Sequence, residues 1–184
     1  MSVVFKETSL PGIILIEPSI FSDSRGYFLE TYNQKAYSYY INKSFVQDNH
    51  SHSGKGVIRG LHYQLNNPQG KLICVVKGEI FDVGVDIRKG SPTFGKWQGF
   101  SLSSYNHKQI YMPEGFAHGF CVLSDEADVT YKCTNLYTPE DEYILNWSDA
   151  QIDIDWPVKD PIISEKDNQS PFLKDIPEDL LPSY

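Results

Sequence analysis

The stretch IFDVGVDI, residues 80–87, has the clearest secondary-structure pattern in the chain. Large apolar side chains occupy every second position, namely Phe81, Val83, Val85 and Ile87. The residues between them are Asp82, Gly84 and Asp86, which share their face with Ile80. A period of two residues is typical of a β-strand, in which successive side chains point to opposite faces. The stretch therefore predicts a strand with one apolar face and one mixed face.

Short apolar or alternating segments recur on both sides of this strand, separated by turn signals. The other predicted strands are 13–17, 27–32, 45–49, 56–64, 71–76, 97–102, 108–112, 120–123 and 128–136. One early helix is predicted from Gln34, in QKAYSYYIN, and a helical turn or two beyond about Asp155, where proline and charge increase. Many short strands with few helices favour an all-β fold that is closed or sandwiched, a jelly roll among them.

Length and composition indicate one globular domain. The chain has 184 residues, of which 40% are hydrophobic and 22% are charged, an ordinary balance that gives disorder no support. We predict a single domain over 1–184, with N-terminal strands to about residue 50. A barrel core over about 51–150 and a C-terminal segment over about 151–184 follow.

Charge and cysteine content restrict the partners and the compartment. The formal net charge of -8 argues against nucleic acid, which is usually bound by basic patches. Cys74, Cys121 and Cys133 are an odd number in apolar segments, which favours free thiols over a disulfide framework. The N-terminus lacks a signal-peptide pattern, and the longest apolar run is too short to cross a bilayer. We expect a soluble, cytoplasmic protein with no membrane partner.

Two histidine motifs suggest a site inside the barrel. GVIRGLHYQ, residues 56–64, contains Gly56 and His62 at the spacing of the first cupin signature, and PEGFAH, residues 113–118, matches Pro-x-Gly-x-x-His of the second. A metal-binding cupin resembling this chain would carry a second histidine where Gln64 stands. Lys71 follows where a ligand-bearing strand is expected, and an inward cation opposes a divalent metal. We therefore predict no metal.

Several longer runs resemble the dTDP-4-dehydrorhamnose 3,5-epimerase family in order and spacing, from about Glu17 to Asp167. They are DSRGYFLETYN, FVQDNHS, GVIRGLHYQ, PQGKLICVVKGEIFDVGVDIRKGSPTFGKW, PEGFAHGFCVLS, YKCTNLYTPEDE and DWPVKDPIISEKD. The resemblance implies a cupin-type double-stranded β-helix, a jelly roll with a few short helices. It also implies a homodimer that converts a dTDP-linked 4-keto-6-deoxy sugar for rhamnose synthesis.

Such chemistry requires a base, an oxyanion stabiliser and an acid on opposite sides of the sugar, because the protons on carbons 3 and 5 flank a ketone. Imidazole suits the base, and the resemblance assigns that role to His62 with Asp167 as its orienting partner. It assigns enolate stabilisation to Lys71 and proton donation to Tyr131, or to a water that Tyr131 orients. The reaction needs no redox cofactor, and the chain has no Gly-rich dinucleotide motif.

The resemblance also implies a set of substrate contacts. Arg25 and Arg59 match phosphate-binding positions, which suits guanidinium groups. Other family contact positions are held by Glu30, Gln47, Asn49, His118, Glu142 and Lys166. Tyr137 is a candidate for stacking on thymine or, equally, a packed aromatic at a strand end. Strict alternation would put Arg59 and His62 on opposite faces, unless Gly60 hosts a bulge that redirects one of them.

Three alternatives remain at this point. The first is a monofunctional 3- or 5-epimerase of another deoxysugar pathway, against which Tyr131 argues. The second is a metal-dependent cupin, against which Gln64 argues. The third is a sugar-nucleotide-binding cupin without activity, for which loss of His62 or Lys71 would have been the expected sign.

Overall fold

The computed structural model of the protein describes residues 3–184, so the first two residues of the predicted domain lie outside the described residues. The strands in chain order are β1 Val3–Glu7, β2 Ile14–Pro18, β3 Ile20–Asp23, β4 Gly26–Leu29, β5 Gln47–Gly54, β6 Ile58–Gln64, β7 Lys71–Lys77, β8 Glu79–Asp86, β9 Trp97–Ser103, β10 Gln109–Met112, β11 Phe116–Val122, β12 Glu126–Cys133 and β13 Glu142–Ile144. The helices are α1 Gln34–Tyr37 and α2 Glu165–Asn168, with 3₁₀ turns at Pro139–Asp141, Leu173–Asp175 and Glu178–Leu180.

Two antiparallel sheets form the body of the fold. One has six strands in the order β1-β2-β10-β7-β12-β5, and the other has five in the order β13-β6-β11-β8-β9. Strands that are distant in the chain lie side by side in both sheets, as in a jelly roll. The predicted all-β, cupin-type jelly roll with short helices is confirmed. None of the described helices is long and apolar enough to cross a membrane.

The apolar core lies between the two sheets. Ile73 and Val75 of β7 pack there with Ile80, Ile110 and Phe120, and all of them are buried. Gly84 belongs to the same interior face of β8, where a Cβ atom would come within 2.3 Å of Met112 Sδ. A side chain at this position would therefore displace core packing, which explains the glycine.

The apolar face of β8 lies outside the barrel wall but is buried. Val83, Val85 and Ile87 have no exposed surface and pack with residues of the C-terminal segment, among them Ile176 and Leu181. The C-terminal segment therefore covers the five-stranded sheet. The mixed face of β8, which includes Asp82, consequently points into the barrel.

The predicted early helix begins at Gln34 but forms a single turn. The Asn33 side chain accepts a hydrogen bond from the Ala36 amide and caps its start, and the helix ends at Tyr37. Aromatic and polar residues follow in SYYIN, and these have lower helix propensity than straight-chain residues. Strands β1, β3 and β13 were not predicted, and the other predicted strands are present with shifts at their ends.

Candidate active site

A cavity of about 310 Å³ opens between the two sheets. Eight of the predicted site residues line it together, namely Gln47, Asn49, Arg59, His62, Lys71, His118, Tyr131 and Glu142. The six-stranded sheet contributes side chains from β5, β7 and β12, and the five-stranded sheet contributes those from β6, β11 and β13. Residues that are up to 95 positions apart, Gln47 and Glu142, thus share one pocket because the strands interleave.

His62 is paired with a carboxylate behind the cavity wall. Its Nε2 lies 2.7 Å from Asp167 Oδ1, and its Nδ1 lies 3.8 Å from Glu142 Oε1. Asp167 is 5% exposed and belongs to α2, whose N-terminus is capped by Ser164. The C-terminal segment that covers the sheet therefore supplies the partner of a barrel histidine.

Hydrogen bonds keep Asp167 ionised. Burial alone would raise its pKa, but hydrogen bonds from His62, from the Gly60 amide and from Ser164 outweigh burial and hold the pKa below its usual value. An ionised carboxylate orients the imidazole ring and stabilises its protonated form. Asp167 thus holds Nε2 of His62, and Nδ1 remains on the side of Glu142, a residue that lines the cavity.

A β-bulge at Gly60 places Arg59 and His62 on the same side of the wall. His62 pairs with His118 and Arg59 pairs with Phe120, so three steps along β6 match two steps along β11. Gly60 has a φ of 109°, and a Cβ there would lie 2.6 Å from the His118 carbonyl oxygen. Both facts require glycine. Arg59 and His62 therefore line the cavity together.

Lys71 and Tyr131 face His62 from the opposite sheet. Lys71 begins β7 directly opposite Cys133 of β12, and Tyr131 lies two residues earlier on the same inner face of β12. Burial lowers the pKa of Lys71, although nearby negative groups that include Glu142 and Asp82 partly oppose the change. Burial raises the pKa of Tyr131, so its phenol keeps its proton at neutral pH.

A second histidine–carboxylate pair lies deeper in the wall. His118 Nε2 is 2.8 Å from Asp82 Oδ2, and Asp82 has no exposed surface. The second carboxylate oxygen, Oδ1, is buried without a hydrogen-bond partner. Asp82 was not among the predicted site residues; the β8 pattern placed it on the mixed face but did not indicate that this face points inward.

The cavity mouth carries a small polar network around Glu142. Tyr137 donates a hydrogen bond to Glu142 Oε2 at 3.3 Å, and Lys166 forms an ion pair with the same oxygen. The Tyr137 side chain is partly exposed, whereas the Glu142 side chain is only 13% exposed. Lys166 therefore reaches the site through Glu142 rather than by lining the main cavity.

Two predicted contact residues lie away from the cavity. Arg25 occupies the turn of the β3–β4 hairpin, where its side chain is 87% exposed and pairs with Asp23 at 2.6 Å. Glu30 follows the hairpin and accepts a hydrogen bond from Asn33. Within one copy of the chain, neither residue joins His62.

Gln64, at the position where a metal-binding cupin would have a histidine, serves the fold. Its amide nitrogen donates to the carbonyls of Asn67 and Leu136, and its oxygen accepts from the Thr138 amide. Over residues 3–184, no three His, Cys, Asp or Glu side chains are grouped as ligands for a metal ion.

Comparison with known proteins gives the same family in sequence and in structure. A family model described as dTDP-4-dehydrorhamnose 3,5-epimerase matches residues 7–175. A protein of that name from Shigella flexneri is 55% identical over 164 residues, which cover 88% of this chain and 91% of that protein. A relative of the same name from Neisseria gonorrhoeae is 55% identical over 163 residues, and the match spans only 50% of its length.

A solved structure is similar over the whole chain. The crystal structure of a dTDP-6-deoxy-D-glucose-3,5-epimerase from Legionella pneumophila, in complex with dTDP-4-keto-L-rhamnose, superposes with a TM-score of 0.97. It is 48% identical, and the match covers 100% of this chain and 99% of that one.

Proposed function

The chain belongs to the dTDP-4-dehydrorhamnose 3,5-epimerase family, and we propose that it is an isomerase that needs no cofactor and inverts carbons 3 and 5 of dTDP-6-deoxy-D-xylo-4-hexulose. The product is dTDP-6-deoxy-L-lyxo-4-hexulose, the precursor form used for dTDP-L-rhamnose. One observation carries the proposal. His62 lies on one wall of the cavity, and Tyr131 and Lys71 lie on the facing wall.

The first half of the reaction is proton removal beside the ketone. Nδ1 of His62 takes the proton from the carbon, and the electron pair of the broken C–H bond forms an enolate whose charge lies on the ketone oxygen. The imidazolium is stabilised by Asp167, 2.7 Å from Nε2. The Lys71 ammonium stabilises the enolate oxygen, because a cation acts strongly on charge in a site with little water.

The second half is proton return from the other side. The Tyr131 phenol keeps its proton at neutral pH because burial raises its pKa. It gives that proton, directly or through an oriented water, to the face of the enolate opposite His62. Configuration is inverted because the base and the acid occupy different sheets. Before the step is repeated at the second carbon, His62 releases its proton to solvent and Tyr131 takes up a proton from solvent.

The remaining residues bind the substrate. Arg59 is held by hydrogen bonds to Ser53 Oγ and to the His52 carbonyl, which aims its guanidinium at a diphosphate. His118 is a hydrogen-bond partner for the sugar. Tyr137 stacks on the thymine at the cavity mouth, beside Glu142 and Lys166. Gln47 and Asn49 form the polar floor on β5, joined by a hydrogen bond of 3.0 Å.

We also propose that the active form is a homodimer in which Arg25 and Glu30 serve the partner's cavity. The hairpin that carries Arg25 is a separate two-stranded sheet with exposed Phe21, Tyr27 and Phe28. Exposed aromatic groups on a short projecting element are typical of an interface. In this dimer Arg25 lies at the cavity of the partner, whereas within one copy of the chain it lies on the surface.

Mixing two inactive variants tests the shared site. Arg25→Ala and His62→Asn should each have low activity as homodimers. After unfolding and refolding together, half of the dimers contain one intact site, so about a quarter of wild-type activity should return. No gain of activity on mixing would place Arg25 in the site of its own chain or outside the site altogether.

We further propose that residues 1–184 function as one domain in the cytoplasm. Ile176 and Leu181 of the C-terminal segment are buried against the barrel, and Asp167 completes the pair with His62. Cys74, Cys121 and Cys133 are free thiols, as suits a reducing compartment.

Proton exchange with solvent tests the reaction. Chelator-treated protein is incubated with the 4-keto-6-deoxy sugar nucleotide in heavy water, and carbons 3 and 5 are followed by NMR. We expect deuterium at both carbons with inversion at both. Label at a single carbon would instead identify a monofunctional epimerase. The absence of label without added metal, together with labelling when metal is supplied, would overturn the cofactor-free mechanism.

A further inference from the structure

The inner face of β5 presents four polar side chains in a row toward the cavity and the neighbouring wall. These are Gln47, Asn49, Ser51 and Ser53, which alternate along the strand with outward residues. Three of them have protein partners. Gln47 donates to Asn49, Asn49 donates weakly to the Cys133 sulfur, and Ser53 accepts from Arg59.

Ser51 differs from the other three. Its side chain lines the cavity, yet its hydroxyl oxygen is buried without any hydrogen-bond partner. It lies opposite Val129 of the neighbouring strand β12, a buried apolar residue that offers no polar group. A buried hydroxyl without a partner is unfavourable, and such groups are rare in folded proteins. The Ser51 hydroxyl is therefore a hydrogen-bond donor that has no acceptor in the free protein.

We propose that Ser51 is a substrate-binding residue whose hydroxyl donates a hydrogen bond to the diphosphate of the nucleotide sugar. The inference rests on the proposed function, because it takes the nucleotide sugar as the ligand. Rotation about a single side-chain bond turns the hydroxyl toward the cavity. Binding then supplies the acceptor that the protein lacks.

The neighbours of Ser51 favour the diphosphate over the sugar. Ser53, the next inward residue, holds Nε of Arg59 from the facing sheet at 2.8 Å, and Ser51 and Arg59 line the same cavity. A guanidinium and a hydroxyl together match the several oxygens of a diphosphate. Among the described residues, the other buried side-chain atom without a partner is Asp82 Oδ1. As a carboxylate oxygen it would repel phosphate.

Calorimetric titration with dTDP tests the proposal through a variant that removes only the hydroxyl. Ser51→Ala should weaken dTDP binding by about 10- to 100-fold, the range for a hydrogen bond to a charged group. The melting temperature of the free variant should equal or exceed that of the wild type, because the lost hydroxyl has no protein partner. Ser51→Thr, which keeps the hydroxyl, should restore most of the affinity.

Ser101→Ala provides the matched control. Ser101 lies on β9 outside the cavity, and its hydroxyl donates to Glu79 Oε1 at 2.7 Å. Its removal should leave dTDP affinity unchanged. The comparison separates loss of a ligand contact from loss of a serine on a strand.

Three outcomes would overturn the role of Ser51. They are unchanged dTDP affinity in Ser51→Ala, a clear fall in its melting temperature, and a rise in KM for the sugar nucleotide without any loss of dTDP affinity. The last would move the contact from diphosphate to sugar. If the wild type itself does not bind dTDP, the proposed function fails and this inference fails with it. Wild-type binding with an unaffected variant rejects the inference alone.

Discussion

Two histidines are paired directly across β6 and β11, and each is bound to a carboxylate, but the two pairs are built differently. His62 takes its partner, Asp167, from a one-turn helix 105 residues further along the chain. His118 takes its partner, Asp82, from the adjacent strand β8. The His62 side chain is 30% exposed, whereas that of His118 is 9% exposed.

We infer that the difference in exposure separates a reacting group from a binding group. His62 turns one ring nitrogen toward the cavity and the other toward an ionised carboxylate, so it can gain and lose a proton. His118 is enclosed by the sheet, and one of its nitrogens is held by Asp82. We infer that the first pair moves protons and the second pair fixes a hydrogen-bonding group, although both have the same composition.

Replacing each histidine by asparagine should have the largest effect and tests the difference between the two pairs. His62→Asn should lower kcat by about 10²–10⁴-fold, because the general base is lost. His118→Asn should lower kcat/KM by a smaller factor, because a hydrogen bond to substrate is lost and the base remains. Steady-state kinetics of both variants checks the difference.

Deuterium exchange supplies the control for that experiment. In His62→Asn, the rate at which solvent deuterium enters carbons 3 and 5 should not exceed the residual turnover rate. His118→Asn should keep measurable exchange. Near-wild-type turnover of His62→Asn would exclude His62 as the base. Equal losses in the two variants would remove the distinction between the pairs.

Replacing the carboxylate that supports the base should have the next largest effect. Asp167→Asn keeps the shape but removes the charge that stabilises imidazolium, and we expect kcat to fall by about 10²-fold. Its dTDP affinity should stay near the wild-type value because Asp167 lies behind His62. A variant with unchanged kcat, or one in which only KM rises, would show that Asp167 does not support proton transfer.

The corresponding change in the buried pair should be milder. Asp82→Asn leaves an oxygen for His118 but removes the charge, so kcat/KM should fall by about tenfold or less, as for one altered hydrogen bond. Carbons 3 and 5 should still exchange. A loss as large as that of Asp167→Asn would indicate that Asp82 takes part in the chemistry, for example through the charge it adds near Lys71.

The two pairs were also unequally predictable from sequence. The cupin spacing indicated both histidines, and the resemblance to the epimerase family supplied Asp167. Alternation alone could not have supplied Asp167, because its contact with His62 depends on how the C-terminal segment packs over the sheet. Local patterns carry no information about such a contact.

For Asp82, in contrast to Asp167, the local pattern was informative but incomplete. The β8 pattern assigned it to the correct face, but a polar residue on a mixed face is usually taken to point to solvent. Here the apolar face is covered by the C-terminal segment and the mixed face lines the barrel. The pattern therefore gives the two faces but not which one is inside. The bulge at Gly60 was similarly an open possibility until the pairing of Arg59 with Phe120 established it.

The smallest expected effect is a dependence of stability on pH that belongs to the first pair. The pKa of Asp167 in the folded protein lies below its usual value, because hydrogen bonds from His62, Gly60 and Ser164 outweigh the effect of burial. The folded state therefore favours the ionised carboxylate. This contribution is complete above the unfolded pKa of about 4 and is lost as pH falls through the folded pKa.

Urea unfolding of the wild type and of Asp167→Asn measures this contribution. At pH 7 the wild type should be more stable by on the order of 1 kcal/mol. The difference should persist down to about pH 5 and shrink below about pH 4, where the wild-type carboxylate takes up a proton. Asp86, whose pKa is also lowered, is present in both proteins and cancels from the difference. A difference that is constant between pH 7 and pH 3 would mean that ionisation of Asp167 does not contribute to the stability of the fold, and that its charge is not stabilised by His62.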